Sequence, residues 1–286
     1  MAAAARVRHQ RGFALLLVLW AMVLLSLIGA RIAASGRAEA QLAANVRDAA
    51  VTEAAADGAV QEAAFHLLDP SPARWAAGDA ARGLAMPGAA VTVRIESEDG
   101  KVNPNLASAA LLEALLRETG ADARAARQVA DAILAWRFPW SRAAGASDPQ
   151  IAAYRAAGLG YAPPGAPFRS LDEVGAVLGM TPALLARVRP YLSLYADAEP
   201  DAASASRPVL AALSALNGGA TPPRNAGPAD EPRVVSVTAA ALGPNGTRFA
   251  RHAILRVSAQ PSSSGQTAPD PVEVLGWDVP GSPAGA

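Results

Sequence analysis

Cysteine is absent from the 286 residues, which removes disulfide frameworks, thiolate metal sites and cysteine nucleophiles together. Lysine is almost absent too: Lys101 is the only one, and the other cations are arginines. Acidic and basic residues balance at 25 each, giving zero formal charge. Such a chain has no general attraction for nucleic acid or an anionic surface. Histidine is limited to His9, His66 and His252, too far apart for a metal-binding pair, and no G-x-S-x-G elbow is present. Each histidine reads as a surface or packing residue, so the chain is not expected to be an enzyme. Aromatic residues make up only 5%, yet hydrophobic residues reach 51%, enough to bury a real core in one or two domains.

The amino terminus concentrates much of that apolar character. Arg6, Arg8, His9, Arg11 and Gly12 precede an uncharged run from Phe13 to Ala30, FALLLVLWAMVLLSLIGA, closed by Arg31. With the tolerant residues 32–36 behind it, the run approaches the roughly 20 residues at 1.5 Å rise that cross a bilayer core. Basic residues before it and sparse positive charge after it predict a cytoplasmic leader and an exported remainder. A secretory signal peptide ending at Ile28-Gly29-Ala30 fits less well, because the apolar run is longer than the usual signal core. An uncleaved anchor also fits the pattern.

From Ala33 to Leu68 the chain is alanine-rich and free of proline, with Leu42, Val46, Ala49, Ala56, Val60, Ala63 and Leu67 near helical spacing. The spacing predicts that the anchor helix continues to Leu68 and stops at Asp69-Pro70-Ser71-Pro72. Val91, Val93 and Ile95 alternate with Thr92, Arg94 and Glu96, the pattern of a half-buried strand over 90–96. Three more strands are predicted at 234–239, 247–257 and 272–277, the first two joined by a hairpin at Gly243-Pro244-Asn245-Gly246. Between the first strand and the rest lies a helical insertion over 107–216. Its helices are 109–118, one capped by Asp122 and running to about Trp136, a short one opened by the capping box Ser170-Leu171-Asp172-Glu173, and one from Thr181-Pro182 to about Tyr191. Residues 217–232 read as a linker and 260–271 as a mobile hairpin tip. The fold class is α+β: a long apolar N-terminal helix packed on an antiparallel sheet, interrupted by a large all-helical unit.

Glycine directly before phenylalanine, with basic residues ahead and an unbroken apolar helix behind, resembles a prepilin peptidase site. The whole-chain order resembles the K-type minor pseudopilin of type II secretion systems. The stretch Asp99-Gly100-Lys101-Val102-Asn103-Pro104-Asn105 resembles that family's passage from first strand to insertion. Pro167-Phe168-Arg169-Ser170-Leu171-Asp172-Glu173-Val174 and Pro190-Tyr191-Leu192 resemble its later helical section. The resemblance implies a leader of residues 1–12, a cut between Gly12 and Phe13, and N-methylation of Phe13. Residues 13–68 become the transmembrane and stalk helix, 69–106 with 217–286 the pilin-like head, and 107–216 the insertion.

Pilins and most pseudopilins carry glutamate at the fifth mature place, where this chain has Leu17. The K type characteristically lacks that glutamate. The resemblance thus implies a structural tip subunit that helps start and cap a periplasmic pseudopilus, anchored once in the inner membrane. Its implied partners are the I-type and J-type minor pseudopilins, the inner-membrane secretion platform and prepilin peptidase. A minor pilin of a type IV pilus is the alternative, but that family normally retains the glutamate and has no such insertion.

Two further chemistries bear on the same segments. Leu171 to Tyr191 resembles a helix-hairpin-helix or SAM-like unit, a DNA-binding element in other proteins. Its hairpin has a single glycine, Gly179, and no lysine nearby, so a membrane-tethered DNA-binding module is disfavoured and nucleic acid is not an expected partner. The family also holds calcium. The carboxylates nearest the corresponding loops are Asp99, Asp148, Asp172, Glu173 and Asp197, with Asp148 the best single match, although a helix cap before Pro149 explains Asp148 at least as well.

Overall fold

The structure, a computed structural model, describes residues 6–78, 80–138, 149–220, 222, 233–258 and 270–280. Helix α1, Arg6–Leu68, is continuous over 63 residues, about 95 Å at the usual helical rise. It passes through Gly12 without a break. Its last third lies on the sheet, burying Thr52, Ala55, Ala56, Ala59, Val60, Ala63, Ala64 and Leu67. The alanines let the helix axis come close to the strands, so a small-residue face takes the place of a ridge of leucines. Leu42 and Val46, on the same helical spacing, are 64% and 62% exposed, because α1 stands clear of the sheet there.

The sheet has five strands in the order β1-β2-β3-β4-β5, every neighbouring pair antiparallel. They are β1 Arg82–Met86, β2 Ala89–Ser97, β3 Arg233–Leu242, β4 Arg248–Val257 and β5 Val272–Asp278. Strand β1 is an addition to the sequence reading. It has little apolar alternation, but Pro87 followed by Gly88 at φ +80° makes a two-residue turn from Met86 to Ala89, and that dipeptide was the available signal. The β3–β4 turn falls where predicted, with Asn245 and Gly246 at φ 53° and 77°. Val91, Val93 and Ile95 face α1 and are at most 5% exposed, as their alternation requires.

The insertion between β2 and β3 holds α2 Ala109–Glu118, α3 Ala123–Arg137, α4 Pro149–Ala156, α5 Pro182–Val188 and α6 Arg207–Leu216. Ser108 caps α2 through the Leu111 amide, Asp122 caps α3 through Arg124 and Ala125, and Thr181 caps α5 through Leu184, each side-chain oxygen satisfying an otherwise orphaned N–H. The capping box at Ser170 does not form. Residues Leu171–Ala176 are 3-10 helix, Ser170 makes no side-chain cap bond, and Glu173 instead accepts from the Arg169 amide at 3.1 Å. Helix α4 occupies part of what reads as a proline- and glycine-rich loop. The predicted linker and hairpin tip lie mostly outside the described residues.

The two units keep separate cores. One cluster joins α1 to the sheet; the other, around Leu112, Leu115, Leu116, Val129, Ile133, Val174 and Val188, lies wholly within the insertion. Trp136 stacks on Phe168 there at 5.6 Å between ring centroids.

Candidate functional site

Two regions carry the residues singled out from sequence. The first is the free length of α1, the one helix among the described residues long and apolar enough to cross a membrane by length and composition. Gly12 lies inside it. Phe13 is 70% exposed and Leu17 56% exposed. A contiguous apolar surface of this extent has to be covered by lipid or by other helices.

The second is the joint where the insertion leaves and rejoins the sheet. Val102 forms a parallel bridge with Leu192: its amide donates to Tyr191 O at 2.9 Å, and its carbonyl accepts from Ser193 N at 3.0 Å. Asn103, 3% exposed, donates through Nδ2 to Leu194 O at 3.1 Å and Ala196 O at 2.6 Å, while its Oδ1 accepts from Asn105 N. Asn105 pairs both ways with the Phe168 backbone, donating to its carbonyl at 3.0 Å and accepting from its amide at 2.7 Å. The Arg137 guanidinium donates to Pro104 O at 2.7 Å and Ala107 O at 2.8 Å. A Cβ on Gly100 would sit 2.5 Å from the Ser204 carbonyl group, so only glycine fits that approach. The Asp-Gly-Lys-Val-Asn-Pro-Asn stretch, picked out through resemblance, thus has a physical task. Its amides substitute for the backbone pairing that irregular chain lacks.

Asp99 closes the joint on the sheet side, both carboxylate oxygens accepting from Val234 N at 3.2 Å. Burial is the main cause that pushes its carboxyl up to about 6, with Asp197, Asp201 and Glu98 adding repulsion. The folded state therefore binds a proton that the unfolded state has released between about pH 4 and 6, so stability is greatest below that window and falls as pH rises through it. A fully buried carboxyl shifted this far would lose about 3 kcal/mol; Asp99 is partly in water, and we expect about 1 kcal/mol between pH 4.5 and 7. Denaturant titrations of the wild type and Asp99→Asn at the two pH values check this. The wild type should lose more stability than the variant, and equal losses would contradict the assignment.

Of the carboxylates considered for calcium, Asp99 and Asp197 lie close enough for charge repulsion. Asp172 pairs with Arg189 and Glu173 with the Arg169 amide, while Asp148 lies outside the described residues. Among the described residues no group of three or more His, Asp or Glu side chains is placed to hold a metal ion. In the helix-hairpin-helix segment, Gly179 adopts φ +85°, and a Cβ there would lie 3.3 Å from Val129 Cγ2. The hairpin glycine packs against α3. His252 has burial as the main cause lowering its pKa, and its Nδ1 lies 3.0 Å from Thr238 Oγ1, the environment of a packed histidine.

A long apolar helix that becomes the spine beneath an antiparallel meander is a pilin-like fold. Residues 90–197, from β2 through most of the insertion, match the family described as Type II secretion system (T2SS), protein K. The fold is that of a chain in the crystal structure of the GspK-GspI-GspJ complex from the type 2 secretion system of enterotoxigenic Escherichia coli. The TM-score is 0.60 at 14% identity, covering 86% of this chain and 100% of that one. No curated protein matches the sequence. The family match is thus confined to residues 90–197, and the likeness to the solved chain is one of fold.

Proposed function

We propose that this chain is the tip subunit of a type II secretion pseudopilus, a structural protein that starts and caps the fibre. The carrying observation is that a helical unit with its own core is inserted into a pilin-like head whose anchor has Leu17 at the fifth place after Gly12. In a fibre of packed apolar helices, a carboxylate at that place offsets the buried terminal ammonium of a neighbour, and an unpaired charge there is costly. A subunit with nothing above it has no such ammonium to meet. Replacing Leu17 by Glu should accordingly leave assembly unchanged or slightly weakened, as measured by pseudopilus yield.

In this reading prepilin peptidase cuts between Gly12 and Phe13 and the new Phe13 amine is methylated. Residues 13–30 hold the protein in the inner membrane beside the secretion platform, and the body stands in the periplasm. Intact mass of the membrane-extracted protein tests the cut: loss of residues 1–12 plus one methyl group is expected, and a retained leader or loss of the whole apolar run contradicts it. Because the similar chain comes from a complex with GspI and GspJ, we assign the I-type and J-type minor pseudopilins as partners of this chain as well. Mixing the three proteins and measuring mass in solution tests the assignment, with a stable complex expected and three separate species the contrary result.

A further inference from the structure

The way α1 is seated on the sheet carries a separate conclusion. Its buried face is partly self-similar under a one-turn shift: moving the helix by four residues puts Ala59 where Ala63 lies, Ala55 where Ala59 lies and Ala56 where Val60 lies, with small-for-small exchanges as Thr52 takes the place of Ala56 and Val60 that of Ala64, and a larger change at Leu67. Alanine against a sheet gives close contact but little discrimination between neighbouring registers, since shape and transfer energy change by no more than a few methyl groups. Something other than apolar packing has to choose one seating.

Arg251, on β4, has the geometry for that choice. Its side chain is 9% exposed. Nε donates to Asp57 Oδ1 at 2.6 Å, and one terminal nitrogen donates to Glu53 Oε1 at 2.8 Å and Asp57 Oδ2 at 3.3 Å. The guanidinium carbon lies 4.9 Å from the Phe249 ring and 5.3 Å from the Trp277 ring. Four anchors on three elements therefore hold one planar cation, two of them carboxylates one turn apart on α1. A shift of α1 by one turn in either direction leaves a single carboxylate in reach. It brings Ala49 to the place of Glu53, or Gln61 to the place of Asp57. A nearly buried guanidinium that loses one of two charge partners is heavily penalised, whereas the alanine face hardly changes. Asn245, donating to Asp48 Oδ2 at 2.6 Å, supports the same seating from the β3–β4 turn.

We propose that Arg251 is the positioning residue that sets the axial and rotational register of the anchor helix against the head, and so fixes which way the head faces around its own spine. This holds whichever partners the head binds.

The absence of native cysteine makes the register directly readable. Gly58 faces Met86 of β1, and a Cβ on it would lie 2.8 Å from the methionine Cε. In the full-length chain in membrane vesicles, Met86→Cys is combined with Gly58→Cys to report the observed register, or with Ala54→Cys or Glu62→Cys to report a shift of one turn. A short bis-thiosulfonate reagent bridges the pairs. With Arg251 intact, bridging at 58 should exceed that at 54 or 62 by about a hundredfold; in Arg251→Met, and in Arg251→Met with Glu53→Gln and Asp57→Asn, it should fall to within about tenfold. Arg251→Lys, which keeps the charge but not the fork, should give an intermediate ratio.

The triple variant leaves no uncompensated charge and should melt within a few degrees of the parent, which separates loss of register from loss of fold. A triple variant that is folded and still bridges only at 58 overturns the proposal in favour of apolar packing. One that does not fold at all overturns it too, since the cluster would then be a requirement for folding.

Discussion

Removal of residues 107–216 should abolish the complex proposed with the I-type and J-type minor pseudopilin heads while leaving the five-stranded sheet folded. The two hydrophobic clusters share no residue, so deleting one core does not hollow out the other. The gap is easy to close. Ser97 pairs with Val235 on the neighbouring strand, about one strand spacing, roughly 5 Å, away, and the retained residues 98–106 joined directly to 217–232 are ample to span that distance at little entropic cost. Some surface is uncovered where Tyr195 packs near Gly276 and Ile254, and a loss of a few kcal/mol at most is expected there. Binding, in contrast, should fall more than a hundredfold if the insertion supplies the interface, since no rim contact replaces a buried centre. Sedimentation of the mixed heads reads the interaction, and far-ultraviolet circular dichroism reads the sheet. A complex of undiminished stability with a folded, insertion-free head would remove the basis for the tip assignment.

How much of this was legible beforehand depended on whether one element carried its own periodic signal. Val91, Val93 and Ile95 announce β2 because a central strand facing one core must alternate. Ser108, Asp122 and Thr181 announce helix starts because a side-chain oxygen has to meet an orphaned amide. Strand β1 was missed because Arg82, Gly83, Leu84, Ala85 and Met86 form an edge strand that is never fully buried, and an edge needs no alternation. Leu42 and Val46 share the helical spacing yet stay exposed, because periodicity shows that a face exists but not how far its partner extends. The capping box at Ser170 does not form for a related reason: Phe168 ties the chain to Asn105, and that tertiary pairing overrides the local preference.

The candidate site divides the same way. The apolar run over 13–30 stands out in the sequence by itself, whereas the roles of Gly12, Phe13 and Leu17 rest on the resemblance. The joint was visible only as a resemblance, because Asn103 and Asn105 meet partners 63 to 93 residues away. Arg251 was not seen at all, since nothing local marks an arginine on a strand as facing two carboxylates nearly two hundred residues earlier.

Asn103→Ala should be the most destabilising exchange of a polar side chain at the joint. The residue is buried, and its removal leaves Leu194 O, Ala196 O and Asn105 N without their partner. Each buried backbone group left unpaired costs about 1 to 3 kcal/mol, and water admitted into the space of the lost amide recovers part of it, so about 3 kcal/mol in total is expected. For a folded body of this size that lowers the melting temperature by roughly 6 to 12 °C. Asn103→Asp separates hydrogen bonding from volume. It is nearly isosteric and keeps the acceptor for Asn105 N, but it points carboxylate oxygens at two carbonyls where there had been a donor. Asp should therefore be worse than Ala at neutral pH and recover on acidification, when a protonated carboxyl donates one hydrogen bond again. The damage should be local as well. Amide exchange at Val102 and Ser193, which depends on the bridge beside Asn103, should accelerate well before that of the β3–β4 ladder. Uniform acceleration across both regions, or an Asp variant as stable as Ala at pH 7, would mean that the amide serves the joint by filling space and not by bonding the returning chain.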